Sequence, residues 1–184
     1  MVVKEEGKQA KFSIQNFLNL GKAVIARGKS AIPGVQLDIN LQQPKSVGSI
    51  KLSSPNPFDK PIIDPNYLSD QRDIEDFTKA FRHLRYITEQ DAFKDVLSSE
   101  ISPGANVKTD DDIHSAIRNL TTTGHHPVST CRMGSDNDKG AVLDNKFKVR
   151  GTQNLRVVDA SAFPDQINGN INAAVIMMGE KAAD

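Results

Sequence analysis

The sequence has no tryptophan, two tyrosines and a single cysteine, and its 23 Lys and Arg are cancelled by 23 Asp and Glu. Each scarcity excludes something. With aromatics at 5% there is little from which to build a stacking platform for single-stranded nucleic acid. With no net charge there is no global field to draw in a polyanion or an anionic membrane, so nucleic acid is not expected as a partner. The lone Cys131 cannot close an internal disulfide, which suits a reducing compartment and points to a cytoplasmic chain. Nowhere do about 18 consecutive apolar residues occur, so no transmembrane segment is read. No amino-terminal apolar run has the form of a signal peptide.

What is present suits a folded chain: 184 residues at 38% hydrophobic suffice for one large or two small domains. Met1 to Lys11 carries Lys4, Glu5, Glu6, Lys8 and Lys11 with little to bury and reads as a loose lead-in. Phe12, Ile14, Phe17, Leu18, Val24 and Ile25 then suggest a helix ended by Gly28. Val35, Leu37, Ile39 and Leu41 alternate with polar residues, a period of two that predicts a strand with one buried face. A second strand is expected from Val47 to Leu52. The four prolines between Ser53 and Asp70 then predict a fixed extended connection rather than a sheet core. Asp73 is a candidate cap for a helix whose Ile74, Phe77, Phe81 and Leu84 recur at three and four, running to about Ile87. Thr109 with Asp112 resembles a reciprocal cap for a second helix, with Ile113, Ala116, Ile117 and Leu120 on one stripe.

Candidate chemistry concentrates near the end. In TTTGHHPVSTCRMG, Thr121 to Gly134, His126 precedes Pro127, which biases it toward extended dihedrals and presents its side chain at a defined angle. Imidazole is the side-chain type suited to taking and returning a proton near neutral pH. The competing reading is a packed histidine donating to a backbone carbonyl. No metal is expected: His125 and His126 point apart if extended, and Cys131 and Asp136 do not complete zinc-ligand spacings. A Cys131–His126 nucleophilic pair lacks an orienting group. Leu155 to Val158 reads as a short buried strand ended by Asp159, where open α/β folds place ligands. Asn172 then precedes a helix over Ala173 to Ala183, whose small first residues and open amides admit a flat, negatively polarised ligand.

GHHPVSTCRMG, AVLDNKFKVRGTQNLRVVDASAFP and GNINAAVIMMGEKAAD, in this order, resemble the carboxyl-terminal part of the glucose-methanol-choline family of flavoprotein oxidoreductases. GSIKLSSPNPFDKPIIDPNYLSD and the ISPG link are also similar to that family's substrate-domain elements, so the resemblance runs from about Ser46 to Asp184. Within the family it is closest to choline dehydrogenases and related bacterial alcohol dehydrogenases. It implies an α+β fold, an antiparallel sheet with covering helices, followed by the carboxyl-terminal strand and helix of an FAD-binding domain. The division it implies is a lead-in over 1–34, a substrate-binding portion over 35–120, and a catalytic loop with the end of the FAD-binding domain over 121–184.

By position, the resemblance makes His126 and Asn172 catalytic, and places Asp159, Ala160, Asn172 and Ala173 against FAD. It also marks two departures: His125 stands where another residue is common, and Ser129 replaces the glycine of HPxGT. The G-x-G-x-x-G pyrophosphate loop does not occur. The chain is thus expected to be a fragment that holds FAD weakly or not at all and is inactive alone, its partners being a small-molecule alcohol and the missing amino-terminal portion. The intact parent, cytoplasmic or peripheral to the inner membrane, would oxidise a primary alcohol, choline among the candidates, to an aldehyde. Two alternatives stand beside this: a flavoprotein hydroxynitrile lyase of the same family, and a non-catalytic binding or structural remnant. An apolar strand at 155–158 without parallel neighbours would favour self-association.

Overall fold

Three-and-four spacing of Ile74, Phe77 and Phe81 is matched by full burial of all three, and the second stripe, Ile113 and Ile117, is buried with them. The computed structural model describes residues 2–5 and 34–184; the helix read over Phe12 to Ile25 lies outside the described residues. In chain order the elements are β1 (Val2–Glu5), β2 (Gly34–Gln36), β3 (Ser49–Lys51), β4 (Ile62–Asp64), α1 (Gln71–Thr88), β5 (Leu97–Ser102), α2 (Asp110–Leu120) and α3 (Asn172–Ala183). The fold is α+β, with small antiparallel sheets and three helices. Two compact units form, one from the described residues through Leu41 with Asp70–Gly124, the other from Gln42–Ser69 with His125–Asp184.

In the first unit the strand order is β2–β1–β5, antiparallel throughout. Val2–Glu5 is therefore a paired strand rather than a loose lead-in, because neighbours on both sides satisfy its backbone. The alternation at 35–41 yields a strand only to Gln36. Asp70, not Asp73, caps α1, its carboxylate accepting the Arg72 amide, while Asp73 is buried one turn in. Thr109 and Asp112 do form the reciprocal capping box of α2. Between α1 and β5, Arg85 grips Glu100 through two nitrogens, Nε to Oε2 at 2.9 Å and Nη2 to Oε1 at 2.9 Å. It also donates to the carbonyls of Gly104 and Val107.

In the second unit β3 and β4 pair with Ile50 opposite Ile63. The prolines at 61 and 65 flank β4 without entering it, so the connection contains a strand that proline density concealed. Gly48 is demanded here: a Cβ would lie 2.3 Å from the Asp64 carbonyl oxygen. Residues 155–158 do not form the expected strand. Their backbone makes two bonds to the preceding turn, Val149 N to Leu155 O at 3.0 Å and Val157 N to Phe147 O at 3.1 Å, and Leu155 is exposed. Ala141, Leu143, Phe147, Ala162, Phe163, Ile171 and Met178 are the buried apolar residues of this unit.

Candidate active site

His126 lies half-buried on a loop between two non-glycine residues in the left-handed region, His125 at φ 60° and Ser129 at φ 70°. Three amides then fasten the loop to the turn after Asp159. Ser129 N donates to Ala160 O at 3.4 Å, Cys131 N to Ser161 O at 3.0 Å, and Met133 N to Ala162 O at 3.0 Å. On its other side the same segment is held by residues 142–143. The Arg132 carbonyl accepts from Val142 at 2.9 Å and Leu143 at 3.2 Å, and Gly134 N donates to Leu143 O at 3.1 Å. The segment that follows the histidine, from Ser129 to Gly134, is therefore held along both edges.

Side chains tighten this loop. Arg132 binds both oxygens of Asp138. That bond, followed by the Gly140 amide, holds the Asp138 carboxyl below the usual carboxylate range, and it raises the Arg132 guanidinium. Gly134 is confined within the knot, since a Cβ there would lie 2.7 Å from the Ala141 Cβ and 2.8 Å from an Asp138 oxygen. Arg150 adds a bond to the Gly134 carbonyl at 2.8 Å and another to Asp136 at 2.8 Å. None of these bracing residues is visible in a periodicity. Their only signal is the turn-rich run from Gly134 to Gly140, which contains Asp138 and follows Arg132.

Asp159 is exposed and caps a short 3-10 turn, Ala160–Ala162, its Oδ1 accepting the Ser161 amide at 2.8 Å and the Ser161 hydroxyl. Ala160 is half-buried beside it. Backbone pairing thus brings the His126 loop to the Asp159–Ala160 pair. Asn172 and Ala173 arrive by another route, both exposed at the start of α3. The Asn172 amide donates to Asn170 Oδ1 at 2.9 Å, and the preceding Gly169 amide donates to the Gln42 side chain. No side chain caps this helix from Ile171, so its N-terminus opens onto the surface.

Neither of two cavities in the units involves these residues. One, of about 440 Å³, is lined by Arg85, Glu100 and Lys108 among others in the first unit. The other, of about 450 Å³, lies beside Met133, Asp144 and Arg150 in the second. Among the described residues no group of three His, Cys, Asp or Glu side chains is placed to hold a metal, and no helix is long and apolar enough to cross a membrane.

The family model described as GMC oxidoreductase matches residues 44–179. Choline dehydrogenase, mitochondrial, of Mus musculus is 44% identical over 149 residues, covering 81% of this chain and 25% of that protein. Oxygen-dependent choline dehydrogenase of Vibrio vulnificus is 44% identical over 151 residues, covering 82% and 27%. Among solved structures, pyridoxine 4-oxidase from Mesorbium loti superposes with a TM-score of 0.72 at 37% identity, over 77% of this chain and 27% of that one. A fungal aryl-alcohol oxidase gives a TM-score of 0.71 at 32% identity, over 78% and 24%. The chain spans about a quarter of the length of these relatives.

Proposed function

The chain belongs to the GMC oxidoreductase family, and from that premise we propose that it is the carboxyl-terminal part of an FAD-dependent enzyme oxidising a primary alcohol to an aldehyde. The residues present fit that cofactor. Asp159, Asn172 and Ala173 are exposed, Ala160 is half-buried, and α3 opens without a side-chain cap from Ile171, so that amides beyond that of Asn172, which Asn170 engages, would face a negatively polarised ring edge. Bound FAD supplies the acceptor for the hydride that leaves the alcohol carbon.

The chain's own residues handle the proton and the charge. His126 takes the hydroxyl proton on an imidazole nitrogen, which turns the alcohol oxygen toward alkoxide and loosens the carbon-bound hydrogen. Asn172 donates its side-chain N–H to that oxygen as negative charge develops. Asp159, Ala160 and Ala173 would be the residues that hold the ring. The observation that carries this reading is the backbone ladder from Ser129, Cys131 and Met133 to residues 160–162, which seats the His126 loop on the proposed cofactor-binding turn.

The names of the relatives support choline as the first alcohol to try. A quaternary ammonium asks for aromatic faces or a carboxylate, and comparing rates on choline and on an uncharged alcohol of equal length decides between the narrow and broad readings. The 184-residue chain alone, without a glycine-rich pyrophosphate loop, holds FAD poorly and is inactive; micromolar or tighter binding in a calorimetric titration overturns this. We infer for the full-length enzyme a place in the cytoplasm or against the inner membrane. In it, His126→Ala lowers the anaerobic rate of flavin reduction by about 10²-fold or more, and an unchanged rate with FAD bound overturns the base assignment.

A further inference from the structure

Arg132 stands between the two firm rungs of the ladder. The Cys131 and Met133 amides on either side of it reach Ser161 and Ala162 at 3.0 Å, whereas the Ser129 rung, nearest His126, stretches to 3.4 Å. The ladder is thus tight at Arg132 and slack toward the histidine. Arg132 itself is tied to the other edge: its carbonyl accepts from Val142 and Leu143, and its guanidinium closes on both oxygens of Asp138. Asp138 also accepts the Gly140 amide at 2.9 Å, and its own amide donates to Ser135 at 3.0 Å, so the clasp gathers the turn 135–141 onto the ladder. The two side chains are 34% and 31% exposed. An ion pair this open to water adds little to global stability, but its two-point geometry fixes direction as well as distance.

We propose that Arg132, acting through Asp138, is a positioning residue for the proposed base: the clasp holds the 129–133 segment against residues 160–162 and so sets how far His126 stands from the turn proposed to hold FAD. This rests on the flavin reading above. Because Arg132 acts through the backbone, its loss moves the imidazole without changing its proton chemistry. The rate then falls while the pH at which it rises stays in place, and a misplacement of about 1 Å costs up to about 10²-fold.

Two substitutions open the clasp by different routes. Arg132→Met removes the charge. Gly140→Ala keeps every charge but puts a Cβ 2.6 Å from Arg132 Nη2, which drives the guanidinium off Asp138. In the full-length protein each is expected to lower the limiting anaerobic rate of reduction per bound flavin about 10- to 100-fold, with the pH midpoint of that rate unmoved. Arg132→Lys, which can hold one carboxylate oxygen but not both, falls between. In the 184-residue chain without FAD, both clasp-opening variants are expected to speed amide exchange at Ser129, Cys131 and Met133 about 10-fold, while Val175, on α3 of the same unit, is unchanged. Rates per bound flavin within about 2-fold of the unsubstituted protein overturn the assignment. A rate loss with unchanged exchange at the ladder also overturns it, as does exchange that rises equally at Val175, the mark of a merely structural role. Failure of an alcohol to reduce the flavin of the unsubstituted full-length protein overturns the flavin reading and the proposal with it; it is distinguishable because the exchange measurement still shows whether the clasp holds the ladder.

Discussion

Replacing Arg85 by methionine removes the polar hub of the first unit while keeping an unbranched side chain of similar reach. The Arg85 side chain is 21% exposed and that of Glu100 is 12% exposed, so the pair is neither a solvated surface contact nor a sealed core pair. Truncation deletes two charge-assisted bonds to Glu100 and two to backbone carbonyls, and it lifts the guanidinium carbon from its position 4.4 Å from the Phe81 ring centre. Glu100 is left with the Gly104 amide at 3.1 Å as its remaining hydrogen bond. A fully buried pair broken on one side costs about 3–5 kcal/mol, and an exposed one about 0–1 kcal/mol; the intermediate exposure places Arg85→Met at about 2–3 kcal/mol. Removing Glu100 as well takes away the stranded charge, so the Arg85→Met, Glu100→Met double variant is expected to recover about 1.5–2 kcal/mol relative to additive losses. Urea denaturation followed by far-ultraviolet circular dichroism measures all four corners of the cycle. Losses that add within about 0.5 kcal/mol show the two side chains to be uncoupled and refute the reasoning.

Thr109→Ala, which deletes one half of the α2 capping box, should cost about 1 kcal/mol in the same assay. Gly134→Ala pushes a methyl group into the Ala141 Cβ and the Asp138 carboxylate and should cost about 1–3 kcal/mol by overpacking, read as a lower unfolding midpoint. Acid should weaken the fold through Asp112, Asp138 and Asp144, each held below the usual carboxylate range: Asp112 by the Thr109 amide, Asp138 by Arg132, and Asp144 by the Lys148 and Lys146 amides. Because their folded values lie under the unfolded ones, their stabilisation is present above about pH 4 and drains away as pH falls through the folded values. Asp138→Asn should flatten that acid limb, and an unchanged slope in pH-dependent denaturation contradicts its share.

Much of the fold was legible where the information is local. The apolar spacing of α1 and α2 and the Thr109–Asp112 box need only neighbours within a turn or two, and the helices formed as read. The cap of α1 shows the limit, because Asp70 and Asp73 both precede the stripe and only the backbone path decides which one faces the free amides. Strands were harder. β4 is three residues between prolines and exists because β3 offers a partner, while Leu155 to Val158, apolar enough to suggest a strand, found only a short antiparallel contact with 147–149. Pairing of that kind depends on residues distant in sequence, which no window reports. For the candidate site, the motif around His126 was visible, but the left-handed backbone at His125 and Ser129 was not, nor the clasp of Arg132 on Asp138, since neither residue type announces it.

The ladder between 129–133 and 160–162 also sets how the chain can change in length. One side gives every second amide, Ser129, Cys131 and Met133, while the other gives three successive carbonyls of a 3-10 turn. A one-residue deletion or insertion among 129–133 would exchange the inward and outward amides beyond it, breaking the register instead of merely shortening a loop. Exposed residues 151–154, outside both this ladder and the pairing of 155–157 with 147–149, have no such counting rule. Length variation in descendants of this sequence is therefore barred by backbone arithmetic from 129–133 and left open to the turn before Asp159, independently of which side chains the loop carries.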